Sequence, residues 1–339
     1  MINFRFHLVS LVAVFLAMGL GILVGSTVID QKIVNRLESE IASVRNENKT
    51  RKAESKDLAQ QNSDQQDFID QTAPFVVDGR LAGQSVAIVA ERGVDGGVVK
   101  KTETLLRGAG ADVPAVLWLD DSWQLDTDQR TSDLQSALGL TGDPTATRDR
   151  AFDRLARRLA RAPRTSPDST STTRSSSTTT GSSSPTTTTA PAPVDVLTAL
   201  DAAGFLSITD GNASEFADFP GRLGHVLVIT GDNSHFVGTG MTSAFAHALT
   251  RAGVPAVVAA IYDEGSDPKQ APERGAALAP VVDDRVLSKA VSTVDDLELQ
   301  QGRVAATLVL EVVASGAIGH YGYGPDASAP LPPHPSSGP

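Results

Sequence analysis

The chain has 339 residues and no cysteine, and its 40 acidic and 29 basic residues give a net charge of −11 at pH 7. An acidic chain with only 5% aromatic residues has neither a basic surface for phosphates nor a platform for stacked bases, which argues against a nucleic-acid partner. The absence of cysteine is compatible with an oxidising space, where unpaired thiols are unfavourable.

Residues 8–29 are apolar and contain no charged side chain. As a helix they reach about 33 Å, enough to cross a hydrocarbon core of about 30 Å. A cleaved signal peptide is the alternative. Its apolar core is shorter, about 7–15 residues, and it ends at a small-x-small site, for which residues 25–27 are the nearest candidate. We predict an uncleaved membrane anchor after a cytoplasmic leader, residues 1–7.

The charges beside this anchor set its expected orientation. Arg5 and His7 precede the apolar stretch, and cationic residues preferentially stay cytoplasmic, although Lys32 follows on the other side. We therefore expect the N-terminus inside and the bulk of the chain in the cell envelope. Gly21 and Gly25 form a G-x-x-x-G pattern, which either packs two membrane helices or reflects the general frequency of glycine in such helices.

Residues 30–72 contain neither glycine nor proline and are rich in helix-forming residues. Apolar side chains recur at the 3-4 spacing of a coiled-coil seam. These seam residues are Val34, Leu37, Ile41, Val44, Leu58 and Ile69. The pattern predicts a parallel homodimeric coiled coil, and a solvated stalk helix is the alternative because the middle of the seam is polar. Pro74 is expected to end the helix.

An α/β pattern follows, in which two similar units each contain a strand, a polar loop, a helix and a second strand. The predicted strands are residues 85–90 and 112–119, then 225–230 and 254–262, and their continuous apolar runs are typical of buried parallel strands. We predict an open, mostly parallel sheet with helices on both faces, built from residues 81–162 and 194–324. A chance likeness between two βαβ units is the alternative.

Two segments have compositions that cannot form a core. Residues 163–193 are rich in serine, threonine and proline and contain no apolar side chain larger than alanine or proline, which predicts a disordered linker. Residues 325–339 are rich in proline, and we also predict that this tail is disordered.

The last ordered part contains a block at residues 291–296, a helix at 297–315 and the tail motif G-H-Y-G-Y-G at 319–324. Asp295 or Asp296 is expected to cap that helix. Either the block and the tail motif pack together to complete the fold, or they line a binding site. In the second case the residues to test are Asp295, Arg303, His320 and Tyr321.

No pattern of a catalytic or nucleotide site is present, because the glycines after the first strand match neither the dinucleotide nor the P-loop spacing and no G-x-S-x-G occurs. We therefore expect no enzyme. Divalent copper prefers histidine and other nitrogen or oxygen donors, whereas monovalent copper prefers sulfur. His235, His247 and His320 are candidate ligands of a site assembled only by the fold, and ordinary polar residues otherwise.

Three blocks together resemble the actinobacterial copper transport protein B family (MctB): residues 1–26, residues 291–305 (V-S-T-V-D-D-L-E-L-Q-Q-G-R-V-A) and residues 319–327 (G-H-Y-G-Y-G-P-D-A). The resemblance covers the chain except the linker and the extreme tail. It implies an envelope protein of copper efflux or homeostasis, with a copper ion as its cargo and channel-like behaviour in some members. The short apolar strands, separated by helices, do not fit a transmembrane barrel.

A related description of the family, SteB-like, implies a second function. In that interpretation the chain is a dimeric scaffold or regulator of cell-separation enzymes, with an envelope protein as partner and no direct copper chemistry. A change in cellular copper on loss of the gene favours the first function, and a separation defect favours the second.

Overall fold

The computed structural model describes residues 4–160, 195–209, 224–263, 273–313 and 315–333. Two compact units are present, residues 1–68 and residues 69–339. The predicted disordered linker, residues 163–193, lies outside the described residues, so its disorder stays a prediction.

Helix α1, Phe4–Val77, contains the predicted anchor. Its segment Phe4–Gly25 is long and apolar enough to cross a membrane, which agrees with the sequence although the bounds are shifted by a few residues. Space is open beside Gly21 and Gly25, since apart from the adjoining helix backbone no described atom lies within 4 Å of a Cβ built at either position. Pairing of two anchors through these glycines stays a prediction, as does the coiled coil that follows.

The prediction that Pro74 ends the helix is wrong, because α1 continues to Val77. A proline removes only its own N–H from the hydrogen-bond ladder, and one missing bond can be offset by packing. Ala73 and Val77 are both buried, at 2% and 0% exposure, and they fix the last turn against the domain. Tertiary packing therefore decides where this helix stops.

Among the described residues of the second unit, seven strands form one sheet in the order β3-β2-β1-β4-β5-β6-β7. All neighbouring strands are parallel except β3, which pairs antiparallel with β2. The predicted mostly parallel sheet is confirmed. The strands are β1 Val86–Glu91, β2 Val116–Leu119, β3 Leu206–Thr209, β4 His225–Gly231, β5 Ala256–Ile261, β6 Ser292–Val294 and β7 His320–Tyr321.

Helices cover both faces of this sheet, as the sequence predicts. The described helices after α1 are α2 Gly96–Gly108, α3 Asp128–Leu138, α4 Pro144–Ala160, α5 Val196–Ala202, α6 Met241–Arg251, α7 Ala279–Val282 and α8 Gln300–Val313. One core contains residues of α3 to α7, with Trp123 stacked on Phe152 at 4.3 Å. The other contains residues of α2, α8 and the end of α1. Each core also contains apolar side chains of the strands, which explains the continuous apolar runs.

Two predictions about the C-terminal part are corrected. Helix α8 begins at Gln300 rather than at 297, and neither Asp295 nor Asp296 caps it, because Asp296 adopts a φ of +59° that turns the chain before the helix. The tail is ordered beyond 325, since Ser328 N donates to His320 O at 2.8 Å and Gly322 N donates to Ala329 O at 3.0 Å. Residues 334–339 lie outside the described part.

Candidate functional site at the carboxyl edge of the sheet

The order of the strands changes direction between β1 and β4. Strands β2 and β3 extend the sheet from β1 toward one edge, and β5, β6 and β7 extend it from β4 toward the other. In open α/β sheets, ligands bind beyond the carboxyl ends of the strands, and most often at such a switch point. The residues that follow β1, β4, β5 and β6 are therefore the first place to look for a site. They form two clusters, one at the switch point and one at the β6–β7 edge.

The first cluster surrounds Glu91, the last residue of β1, which is only 1% exposed. Its carboxylate accepts hydrogen bonds from three hydroxyl groups: Thr230 at 2.7 Å, Ser234 at 2.5 Å and Thr242 at 2.6 Å. Burial raises the pKa of Glu91 above its ordinary value of 4.5, and the three hydrogen bonds offset part of this rise. This buried acid joins β1 to β4 and α6 through hydroxyl groups.

The loops that follow β1 and β4 are in direct contact above this acid. Gly93 has a φ of +96°, and a Cβ built there would lie 2.1 Å from the carbonyl oxygen of Asn233. His235 N donates to Arg92 O at 2.9 Å, and His235 Nδ1 lies 2.7 Å from Asp121 Oδ1. Backbone therefore occupies the crevice in which many α/β proteins hold a ligand.

A cavity of about 410 Å³ opens beside this closed crevice. Thr230 and Thr242, two of the donors to Glu91, line it together with Phe236, Pro280 and Asp283. Its wall offers hydroxyl and carboxylate oxygens on an apolar background. These are hard donors, which do not suit monovalent copper.

We expect Glu91→Gln to change how stability depends on pH. Because the folded state keeps the proton to a higher pH than the unfolded state, Glu91 lowers the free energy of unfolding as pH rises above 4.5. Urea unfolding followed by tryptophan fluorescence should show a flatter pH profile above 4.5 in the variant. The exposed control Glu38→Gln should keep the wild-type profile, and identical profiles for Glu91→Gln and wild type would contradict the assignment.

The second cluster joins the 291–296 block to the tail motif. Strand β6 pairs parallel with β7, with Thr293 opposite His320 and Val294 opposite Tyr321. The buried carboxylate of Asp295 accepts hydrogen bonds from the backbone of Tyr323 at 2.8 Å and of Gly324 at 2.6 Å. The two blocks therefore pack together, and Asp295 holds the turn of the tail motif.

The glycines of the tail motif are explained by contacts with this cluster. A Cβ at Gly319 would lie 2.4 Å from the Tyr321 hydroxyl, and a Cβ at Gly322 would lie 1.6 Å from Asp295 Oδ1. A Cβ at Gly324 would lie 2.6 Å from Asp295 Oδ2. Any larger residue would displace either the ring or the carboxylate.

Arg274 organises the neighbouring end of β5. Its guanidinium forms an ion pair with Asp296, lies 3.3 Å from Glu298 Oε1, and stacks 4.3 Å from the ring centre of Tyr262. Glu298 also accepts the backbone N–H of Tyr262 at 2.9 Å, and burial is the main cause that raises its pKa. This network places one arginine between two carboxylates at the sheet edge.

Arg303 has a structural role, because its guanidinium is bonded within the turn before α8. Its guanidinium donates to the carbonyl oxygens of Leu297 at 3.0 Å and Glu298 at 2.8 Å, and to Gln300 Oε1 at 2.6 Å. It satisfies carbonyl groups of the turn before α8. The predicted set of Asp295, Arg303, His320 and Tyr321 thus lies around one strand pair and one turn.

The candidate histidines each have a separate polar partner. His320 Nδ1 lies 2.9 Å from Thr293 Oγ1 and its Nε2 lies 3.2 Å from Ser288 O. His247 Nε2 lies 3.0 Å from Asp284 Oδ2, on a carboxylate whose pKa is lowered chiefly by the backbone N–H groups of Leu287 and Val286. Among the described residues, no group of three or more histidine, cysteine, aspartate or glutamate side chains could hold a metal ion.

Sequence reasoning missed Glu91, Arg274 and Glu298. Glu91 had a signal, because an acidic residue ends an otherwise apolar buried strand. Arg274 and Glu298 had none, since their contacts join segments that are far apart in sequence.

A family model described as "Copper transport outer membrane protein, MctB" matches residues 1–332. The chain belongs to the MctB family. It is similar to proteins named "Copper transporter MctB" from Mycobacterium bovis (strain ATCC BAA-935 / AF2122/97) and Mycobacterium tuberculosis (strains CDC 1551 / Oshkosh and ATCC 25618 / H37Rv). Each is 26% identical over 336 residues, which cover 96% of this chain and 97% of the relative.

The comparisons confirm the predicted family and bear on the choice between the two functions. Both the family description and the names of the relatives refer to copper transport, and neither refers to cell separation. The scaffold interpretation is therefore not favoured. One apolar N-terminal helix is consistent with a membrane protein of this MctB family.

Proposed function

We propose that this MctB-family chain is a membrane-anchored component of copper transport that works in copper efflux or homeostasis. The observation that carries the proposal is the family match, which extends over residues 1–332 and so includes both the anchor and the α/β domain. Copper is the cargo in this proposal. The domain contributes by binding, and no catalytic step is assigned to it.

The proposal places the α/β domain in the cell envelope, outside the membrane that α1 crosses. The support is Arg5, a cationic residue that precedes the apolar segment and so favours a cytoplasmic position for that end. Because the chain lacks cysteine, a single introduced thiol reports its own location. In intact cells, a membrane-impermeant maleimide should label the exposed Thr104→Cys and leave Asn3→Cys unlabelled, and the reverse pattern would refute this orientation.

Deletion of the gene tests the copper role. We expect a higher cellular copper content and a greater sensitivity to added copper, because an export component has been lost. The full chain supplied in trans should restore both values, and zinc content serves as the control for a general envelope defect. Unchanged copper content together with unchanged sensitivity would refute the proposal.

A further inference from the structure

The part of α1 that follows the apolar segment has an apolar seam that no described residue buries. Every described residue from 34 to 65 is exposed, including the apolar Ile41, Val44 and Leu58. A helix in water gains most of its stability from burial of an apolar face. A helix this long with an uncovered apolar stripe needs a partner along that stripe.

The flanking charges indicate what this partner is. With the apolar residues at heptad positions a and d, Glu40 and Glu47 lie at g, and Arg45 and Lys52 lie at e, each five residues further on. In a parallel, in-register pair of helices, position g of one copy faces position e of the other, five residues later. Two copies of this chain would therefore form the pairs Glu40–Arg45 and Glu47–Lys52, both of opposite charge.

Two of the polar seam positions support the same register. Asn48 and Asn62 both lie at position a. A buried asparagine at heptad position a pairs best with the same residue of an aligned, parallel partner. It therefore fixes the register and the oligomer state. A helix of a different protein would have to reproduce both the charges and the asparagines.

The 3-4 spacing continues past the stalk through Ile69, Thr72 and Val76. These three residues line an apolar cavity of about 230 Å³ at the surface of the domain, together with Ala73, Val304 and Leu331. Exposed apolar side chains border this cavity, with Tyr323 at 58% and Leu331 at 45% exposure. An apolar cavity with such a border is typical of an interaction surface.

We propose that a second copy of this chain covers this cavity, through a parallel, in-register dimer whose seam runs from Val34 to Val76. A two-fold interface uses the same patch on both copies, so residues 69, 72 and 76 of each copy would face those of the other. The cavity is then the end of a seam rather than a small-molecule site. The inference does not depend on copper.

The absence of cysteine allows a clean test by thiol cross-linking of the full-length chain in membranes. Leu58→Cys reports the stalk seam and Val76→Cys reports the cavity mouth. Their controls, Asp57→Cys and Gln71→Cys, are exposed and lie at heptad position c, on the outside of the pair. After oxidation we expect covalent dimers of both seam variants at about ten times the level of their controls, because only facing thiols meet the geometry of a disulfide.

Three results would overturn the proposal. If Val76→Cys cross-links no more than Gln71→Cys, a second copy does not cover the cavity. If neither seam variant exceeds its control and the native mass is that of one chain, no dimer exists. If the native mass corresponds to one chain with a different protein, the occupant is not a second copy. The copper content of the cells tests the proposed function separately, so failure of the dimer and failure of the copper role give different results.

Discussion

Gly322→Ala is expected to lower the free energy of unfolding by more than about 4 kcal/mol, a loss that few single substitutions reach. The added Cβ would lie 1.6 Å from Oδ1 and 2.2 Å from Cγ of Asp295, a side chain that is itself buried. The φ of +130° at this position adds backbone strain for any residue with a side chain. Urea unfolding followed by tryptophan fluorescence measures the loss.

A double-mutant cycle separates the clash from the strain. Asp295→Ala alone should cost about 3 kcal/mol, because it removes the acceptor of two buried N–H groups. It also empties the space that the Cβ of residue 322 needs, so the double variant should lose less than the sum of the single variants. Gly316→Ala, at a φ of +85° in open space, should show only the backbone strain of about 1 kcal/mol. Additive losses would contradict the clash.

Gly302→Ala is expected to destabilise the domain by about 3 kcal/mol, although helix propensity alone predicts that alanine stabilises it. Alanine is favoured over glycine within a helix by about 1 kcal/mol. In α8, however, a Cβ at residue 302 would lie 2.0 Å from the carbonyl oxygen of Asp296. That oxygen belongs to backbone that is fixed by the turn at Asp296, so moving it away from the added Cβ costs free energy.

The matched control is Gly108→Ala, at the end of α2. Nothing lies within 4 Å of a Cβ built there, so the substitution should be neutral or slightly stabilising. Thermal and urea unfolding of both variants measure whether each substitution raises or lowers the free energy of unfolding. A gain of stability in Gly302→Ala would show that α8 and the preceding turn are not packed as closely as described.

Strands β1, β2, β4 and β5 were predictable because they are buried on both faces, whereas the short strands β6 and β7 were not predicted. Strands such as β4 and β5 read as unbroken apolar runs, and the β-α-β spacing makes neighbouring strands parallel. These features depend on local sequence, which is why one sequence was sufficient.

The site was less predictable because its contacts are long-range. Asp295 lies at a position suited to a helix cap, yet its carboxylate binds the backbone of residues 323 and 324, which no local pattern shows. Arg274 and Glu298 are joined only by the fold. Pro74 was misjudged for the same reason, because burial of Ala73 and Val77 outweighs one lost hydrogen bond.

The rate at which copper leaves preloaded cells tests the copper-transport role most directly. Wild-type cells, cells without the gene and cells complemented with the full chain are loaded to equal copper content and moved to copper-free medium. We predict slower copper loss without the gene, restoration by the full chain, and no restoration by residues 30–339 released without the anchor. Equal rates of loss in all strains at equal load would contradict the account.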